Sequence, residues 1–138
     1  MACGGKILII DGDPETRDAL SSFARGVGCC AVTASDGVAG LAEVMAGPPP
    51  CLVVLDVDAP RLSGEELVRR IRRNAPEGGV CIVSLSRSGG RELAPPCVER
   101  HLGKPFSADV LWPLIERRCR SAIRIEAEVP ATYVEADA

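Results

Sequence analysis

Two carboxylates and one ammonium stand where apolar runs end. Asp11 follows Lys6-Ile-Leu-Ile-Ile10, Asp56 follows Leu52-Val-Val-Leu55, and Lys104 sits in Gly103-Lys-Pro-Phe106. Parallel strands of one sheet end on the same side, so the three groups are expected to converge in one crevice. A carboxylate is a weak nucleophile toward a phosphate dianion unless cations neutralise the oxygens it approaches. A second acid able to hold a divalent metal, together with a lysine, is the equipment for accepting a phosphoryl group. The set lacks one member: the residue after Asp11 is Gly12, which has no side-chain ligand atom.

Composition narrows what can surround such a crevice. A chain of 138 residues suits one domain around one core. Hydrophobic residues make up 46% and aromatics 3%, so the core must be aliphatic. No apolar run nears the roughly 20 residues of a membrane-spanning helix, and Lys6–Ile10 is too short for the apolar part of a signal peptide. Membrane insertion is therefore not expected, and neither is nucleic-acid binding, because the net charge is −3.

The 7 cysteines form no CxxC pair and do not flank the single histidine, His101, at zinc spacing. Cys29, Cys51 and Cys81 fall in apolar strand contexts. The expected state is that of small buried hydrophobes in a reducing cytoplasm, the alternative being a redox role for the adjacent Cys29 and Cys30.

The elements that must position the site follow from period and punctuation. Lys6–Ile10 reads as a strand buried on both faces. Asp13-Pro14 reads as a helix cap with Pro at the first helical position. Leu20, Phe23, Ala24 and Val27 then mark the inner face, and Gly28 marks the stop. Cys29–Thr33 is a second strand. Ser35-Asp36 caps a second helix with Val38, Leu41, Ala42 and Met45 inward, ended by Gly47-Pro-Pro-Pro50. Cys51–Leu55 is a third strand.

Ser63-Gly-Glu-Glu66 has the form of a capping box, opening a helix with Leu67, Val68 and Ile71 inward. Arg69, Arg70, Arg72 and Arg73 lie on its other face, either as a solvated surface or as a dock for an acidic partner. Val80–Leu85 is a fourth strand and Val98–Leu102 a fifth. Ser107 caps a last helix with Val110, Leu111, Leu114 and Ile115 inward, bent at Pro113. Between Ser88-Gly-Gly90 and Pro95-Pro96 there is too little chain for a full crossover helix. The tail alternates Ile123, Ile125, Ala127 and Val129 with Arg124, Glu126 and Glu128, which is a strand pattern if the tail is ordered.

Over about residues 5–120 the chain resembles the receiver domains of two-component and chemotaxis response regulators. The likeness rests on Lys6–Pro14 with Arg17, Leu52–Pro60 with Gly64, Val83-Ser-Leu-Ser86, and Gly103-Lys-Pro-Phe106. It implies a flavodoxin-like α/β fold: a doubly wound five-stranded parallel sheet, order 2-1-3-4-5, with the site at the carboxyl edge. Here the fourth helix would be shortened or missing. Residues 1–121 would form the receiver domain and 122–138 a C-terminal tail.

Carried over by position, the resemblance makes Asp56 the phospho-acceptor. Mg²⁺ would be held by Asp56, by the acid after the first strand, Asp11, and by the backbone carbonyl of Asp58. Gly12 stands where the family has a second adjacent acid, a direct metal ligand, which leaves Mg²⁺ binding open. The side chain of Asp58 is a candidate replacement, while Asp13 is better used as the helix cap. Without metal, Asp11, Asp56 and Asp58 would repel one another, raising carboxylate pKa values, with partial relief from Lys104. Lys104 and Ser86 would bind phosphoryl oxygens, and His101 takes the place of a switching aromatic residue.

Three functions are open at this point. One is a stand-alone receiver, phosphorylated by a histidine kinase or phosphotransfer protein and signalling by binding a downstream protein effector in the cytoplasm. The second is a pseudo-receiver that docks without phosphorylation, favoured by Gly12 and the curtailed helix. The third reads Asp11-Gly12-Asp13 as the DxD of a haloacid-dehalogenase-type phosphatase. That would leave Asp56 unexplained, with only Asp109 as the later acid, so enzyme activity is not expected.

Overall fold

A computed structural model describes residues 5–74, 80–87, 98–119 and 133–134. Five strands form one sheet: β1 (Lys6–Ile10), β2 (Cys30–Ala34), β3 (Leu52–Asp56), β4 (Cys81–Ser86) and β5 (Arg100–Gly103). Their order is β2-β1-β3-β4-β5, and every neighbouring pair is parallel. Four α-helices accompany the sheet among the described residues: α1 (Pro14–Gly26), α2 (Gly37–Met45), α3 (Gly64–Asn74) and α4 (Trp112–Arg118).

The continuous apolar runs explain the layering. Successive side chains of a strand point to opposite faces, so Ile7, Ile9, Leu52 and Val54 pack under α1 and α4. Leu8, Ile10, Val53 and Leu55 pack under α2 and α3 on the other face. β3 and β4 are buried at every position, as a strand covered on both faces must be. This is the doubly wound α/β arrangement that the strand–helix alternation implies.

Local signals set most element ends. Asp13 caps α1, accepting the Glu15 N–H, and Pro14 occupies the first turn. Ser63 Oγ accepts the Glu66 N–H at 3.2 Å. The return half of that capping box does not form, because the Glu66 carboxylate pairs with Arg69 and Arg70 instead. Arg72 leaves the arginine face: it binds the Glu99 carboxylate at 2.7 Å and the Val80 carbonyl, tying α3 to the start of β5.

The inner face of α2 differs from expectation. Val38 and Met45 are 43% and 61% exposed. The buried positions are Gly37, Gly40 and Val44, with Leu41 packed partly against the core. Both sets share helical spacing, and the winning one contains glycines. A Cβ on Gly40 would lie 2.4 Å from Ile10 Cδ1, so α2 settles on β1 by the face that has no side chain there.

The last helix also differs. Ser107 makes no side-chain cap; residues Ala108–Leu111 form a 3-10 turn, and Pro113 lies in the first turn of α4 rather than at a bend within it. The crossover after Ser88 and the alternating tail Ile123–Val129 lie outside the described residues. A short β7 (Tyr133–Val134) pairs antiparallel with β6 (Phe106–Ser107) and lies against α1.

Two cysteine expectations part company. Cys29 and Cys81 are free and buried, and burial raises both thiol pKa values. Cys51 and Cys119 are joined by a disulfide instead, linking the chain just before β3 to the end of α4. Cys30 is also disulfide-bonded. Spacing gives no hint of the first pair, whose members are 68 positions apart.

Candidate functional site

The ends of β1 and β3 and the turn after β5 bring Asp11, Asp56 and Lys104 together. Lys104 Nζ lies 2.9 Å from Asp11 Oδ2 and 3.2 Å from Asp56 Oδ2. All three residues are buried, with relative exposures of 1%, 6% and 2%. Each carboxylate is braced by a backbone donor two residues on: Asp13 N–H to Asp11 Oδ1, and Asp58 N–H to Asp56 Oδ1, both at 2.8 Å. The four carboxylate oxygens therefore each have a partner.

Backbone bonds place these groups. The Lys104 N–H donates to the Ser86 carbonyl, after which a cis Lys104–Pro105 bond follows, and the Val57 N–H donates to the Leu85 carbonyl. Gly64 lets the start of α3 pass the loop beyond Asp56, since a Cβ there would sit 2.9 Å from Val57 Cα.

Two negative groups share one positive group, and the electrostatics follow. Burial raises the Asp11 pKa above 3.8; Lys104 and the Asp13 N–H oppose the rise, and the Asp56 charge adds to it. The rise at Asp11 thus comes chiefly from burial, with repulsion from Asp56 the smallest contribution, rather than from a cluster of three repelling carboxylates.

Other expected site residues divide. Asp13 is occupied with capping, its Oδ2 accepting from Thr16 Oγ1 at 2.8 Å. Asp58 is exposed and meets Asp56 through its amide, so the three-carboxylate cluster with Asp58 does not assemble. The cause is the tight turn, in which Asp56 accepts the amide two residues later. Among the described residues no group of 3 or more His, Cys, Asp or Glu is gathered around a metal position. Ser86 and His101 do meet: Ser86 Oγ lies 2.8 Å from His101 Nε2, and Ser84 Oγ lies 2.6 Å from Nδ1.

Two contributors, Arg17 and Ser84, stand in the matching segments but were given no role by the sequence reading. Arg17 donates to the Asp11 carbonyl at 2.7 Å, anchoring the end of β1 to α1. Ser84 had a legible signal, since strand alternation puts it on the same face as Ser86. Gly12 is not required by the backbone: its φ lies outside the left-handed region, and an added Cβ would meet only Pro60 Cδ at 3.5 Å and Ser35 O at 3.8 Å.

The response regulator receiver domain family matches residues 7–116. The chain belongs to that family. NtrX of Azorhizobium caulinodans is 35% identical over 129 residues, covering 89% of this chain and 28% of that protein. PilG of Pseudomonas aeruginosa is 28% identical over 131 residues, covering 90% of this chain and 94% of PilG. The receiver chain thus spans little more than a quarter of NtrX and nearly all of PilG. Among solved structures, NtrX from Brucella abortus with ADP has a TM-score of 0.72 at 31% identity, covering 86% of this chain and 27% of that one. CheY4 of Vibrio cholerae, at 24% identity, shares the fold with a TM-score of 0.68, covering 81% and 96%.

Receiver domains are generally non-enzymatic signalling modules in two-component systems. They interact with histidine kinases or phosphotransfer proteins and with effectors, and they typically bind Mg²⁺ at the phosphorylation site. In this receiver no helix among the described residues is long and apolar enough to cross a membrane.

Proposed function

We propose that this receiver accepts a phosphoryl group on Asp56 from a histidine kinase or phosphotransfer protein and signals by binding a downstream protein in the cytoplasm. The observation that carries the reading is the buried Asp11–Lys104–Asp56 cluster at the carboxyl edge of the sheet.

In the proposed step an Asp56 oxygen bonds to phosphorus as the bond to the donor's nitrogen breaks. Lys104 lies within reach of Asp56 Oδ2 at 3.2 Å, so its ammonium is placed to follow charge onto a phosphoryl oxygen. Asp11 holds Lys104 from the other side at 2.9 Å and keeps it from withdrawing.

Mg²⁺ is satisfied by one or two carboxylates plus waters. Asp11 and Asp56, with the Asp58 carbonyl, would hold it with the smallest workable set. When bound, the ion would neutralise the phosphoryl oxygens. Asp56, once phosphorylated, carries about −1.5 to −2 charge and strong acceptor atoms.

A second reading, the phosphorylation-independent docking module, is favoured by Gly12, which offers no side-chain ligand atom where the family has a second acid. Incubation with acetyl phosphate and Mg²⁺, read by intact mass, separates the two. Phosphorylation adds about 80 Da and is abolished in Asp56→Asn; no gain in the wild-type protein supports the docking module.

A further inference from the structure

His101 makes two hydrogen bonds that the phosphoryl chemistry of Asp56 does not use. The register explains them. Ser84 stands directly across from His101 in the parallel β4–β5 pair, and Ser86 projects from the same face one pleat further on. The ring lies along β4 with Nδ1 at 2.6 Å from Ser84 Oγ and Nε2 at 2.8 Å from Ser86 Oγ. Both serines are buried, at 0% and 2% exposure, and buried hydroxyls need partners.

A neutral imidazole has one N–H and one lone pair. It accepts from one serine and donates to the other, so Ser84 dictates through the ring what Ser86 does with its proton. If Ser84 donates to Nδ1, then Nε2 carries hydrogen and Ser86 keeps its O–H for another acceptor. If Ser84 accepts, Ser86 donates to Nε2 and has no proton left to give. The Ser86 backbone is held by the Lys104 N–H at 2.8 Å, so rotation of the side chain alone changes its partner.

We propose that Ser84 and His101 are positioning residues for Ser86: Ser84 accepts from the Nδ1–H, so that Nε2 accepts from Ser86 and forms a latch that keeps its hydroxyl turned toward β5. A phosphoryl oxygen on Asp56 must then compete with the imidazole for that hydroxyl. The consequence rests on the receiver reading of Asp56; the latch itself does not.

The single histidine makes the test clean, because its ring nitrogens give an unambiguous pair of NMR signals. In unphosphorylated protein one tautomer is expected to dominate, and Ser84→Ala should turn it into a mixture. Ring signals that ignore both Ser84→Ala and Ser86→Ala overturn the latch.

The second readout is the rate at which acetyl phosphate and Mg²⁺ load Asp56. Ser84→Ala and His101→Phe should each raise it roughly two- to ten-fold, the scale of one hydrogen bond. Combining them should add nothing further, which a merely structural role would not produce. Rates equal to wild type in both single variants overturn the proposal. If wild-type protein does not load at all, the receiver reading fails and the ring signals decide the latch alone.

Discussion

Lys104 Nζ lies 2.9 Å from Asp11 Oδ2, a contact between residues 93 positions apart, and the same ammonium serves Asp56. One cation thus holds two buried anions. Lys104→Met leaves two carboxylates facing each other without compensation, and such unpaired buried charges cost about 3–5 kcal/mol. Asp11→Asn instead leaves a one-to-one Lys104–Asp56 pair, and its stability is expected to equal or exceed wild type. Urea midpoints at an unchanged slope check both; equal losses in the two variants would refute this charge balance.

The raised pKa of Asp11 gives a pH signature. Its folded carboxyl holds a proton more tightly than the unfolded one, whose value is 3.8. From 3.8 up to the higher folded value, the stability owed to this group therefore falls as pH rises, and above that interval the cost is constant. Wild-type stability measured against Asp11→Asn should decline across that interval and then level off. A pH-independent difference would show that burial does not govern Asp11.

Gly12 is a chemical gap rather than a packing necessity, because a Cβ would make only ordinary contacts with Pro60 and Ser35. Gly12→Asp should restore a third carboxylate and tighten Mg²⁺ binding by roughly tenfold or more, the worth of one charged ligand contact. Calorimetric titration measures it. An unchanged affinity would mean that residue 12 does not face the ion.

The Cys51–Cys119 disulfide closes a loop with a sequence separation of 68, for which chain entropy predicts about 4 kcal/mol of stabilisation. Cys51→Ser or added reductant should lower the denaturation midpoint accordingly. The bond lies at the amino-terminal end of β3, away from Asp56, so phosphoryl loading by acetyl phosphate should persist in any variant that stays folded.

The sequence by itself determined the strand–helix alternation, the central strands and the meeting of Asp11, Asp56 and Lys104. Those features are local or topological: an apolar run buried on both faces must be an interior strand, and parallel strands deliver their following residues to one edge. The helix starts at Pro14 and Gly37 were equally legible, because Asp13 and Asp36 satisfy free amides within a few residues of themselves.

Only the tertiary structure decided the rest. Two faces of α2 had helical spacing, and the choice fell to Gly40 because close approach to Ile10 outweighs the apolar side chains left outside. Asp58 lost its place in the cluster to a turn whose amide serves Asp56. Cys51 found Cys119, and His101 found both Ser84 and Ser86, through distances between separate elements. Spacing along a chain reports which groups a single element presents; partnership across elements depends on how closely they pack, and that is settled only when the layers close.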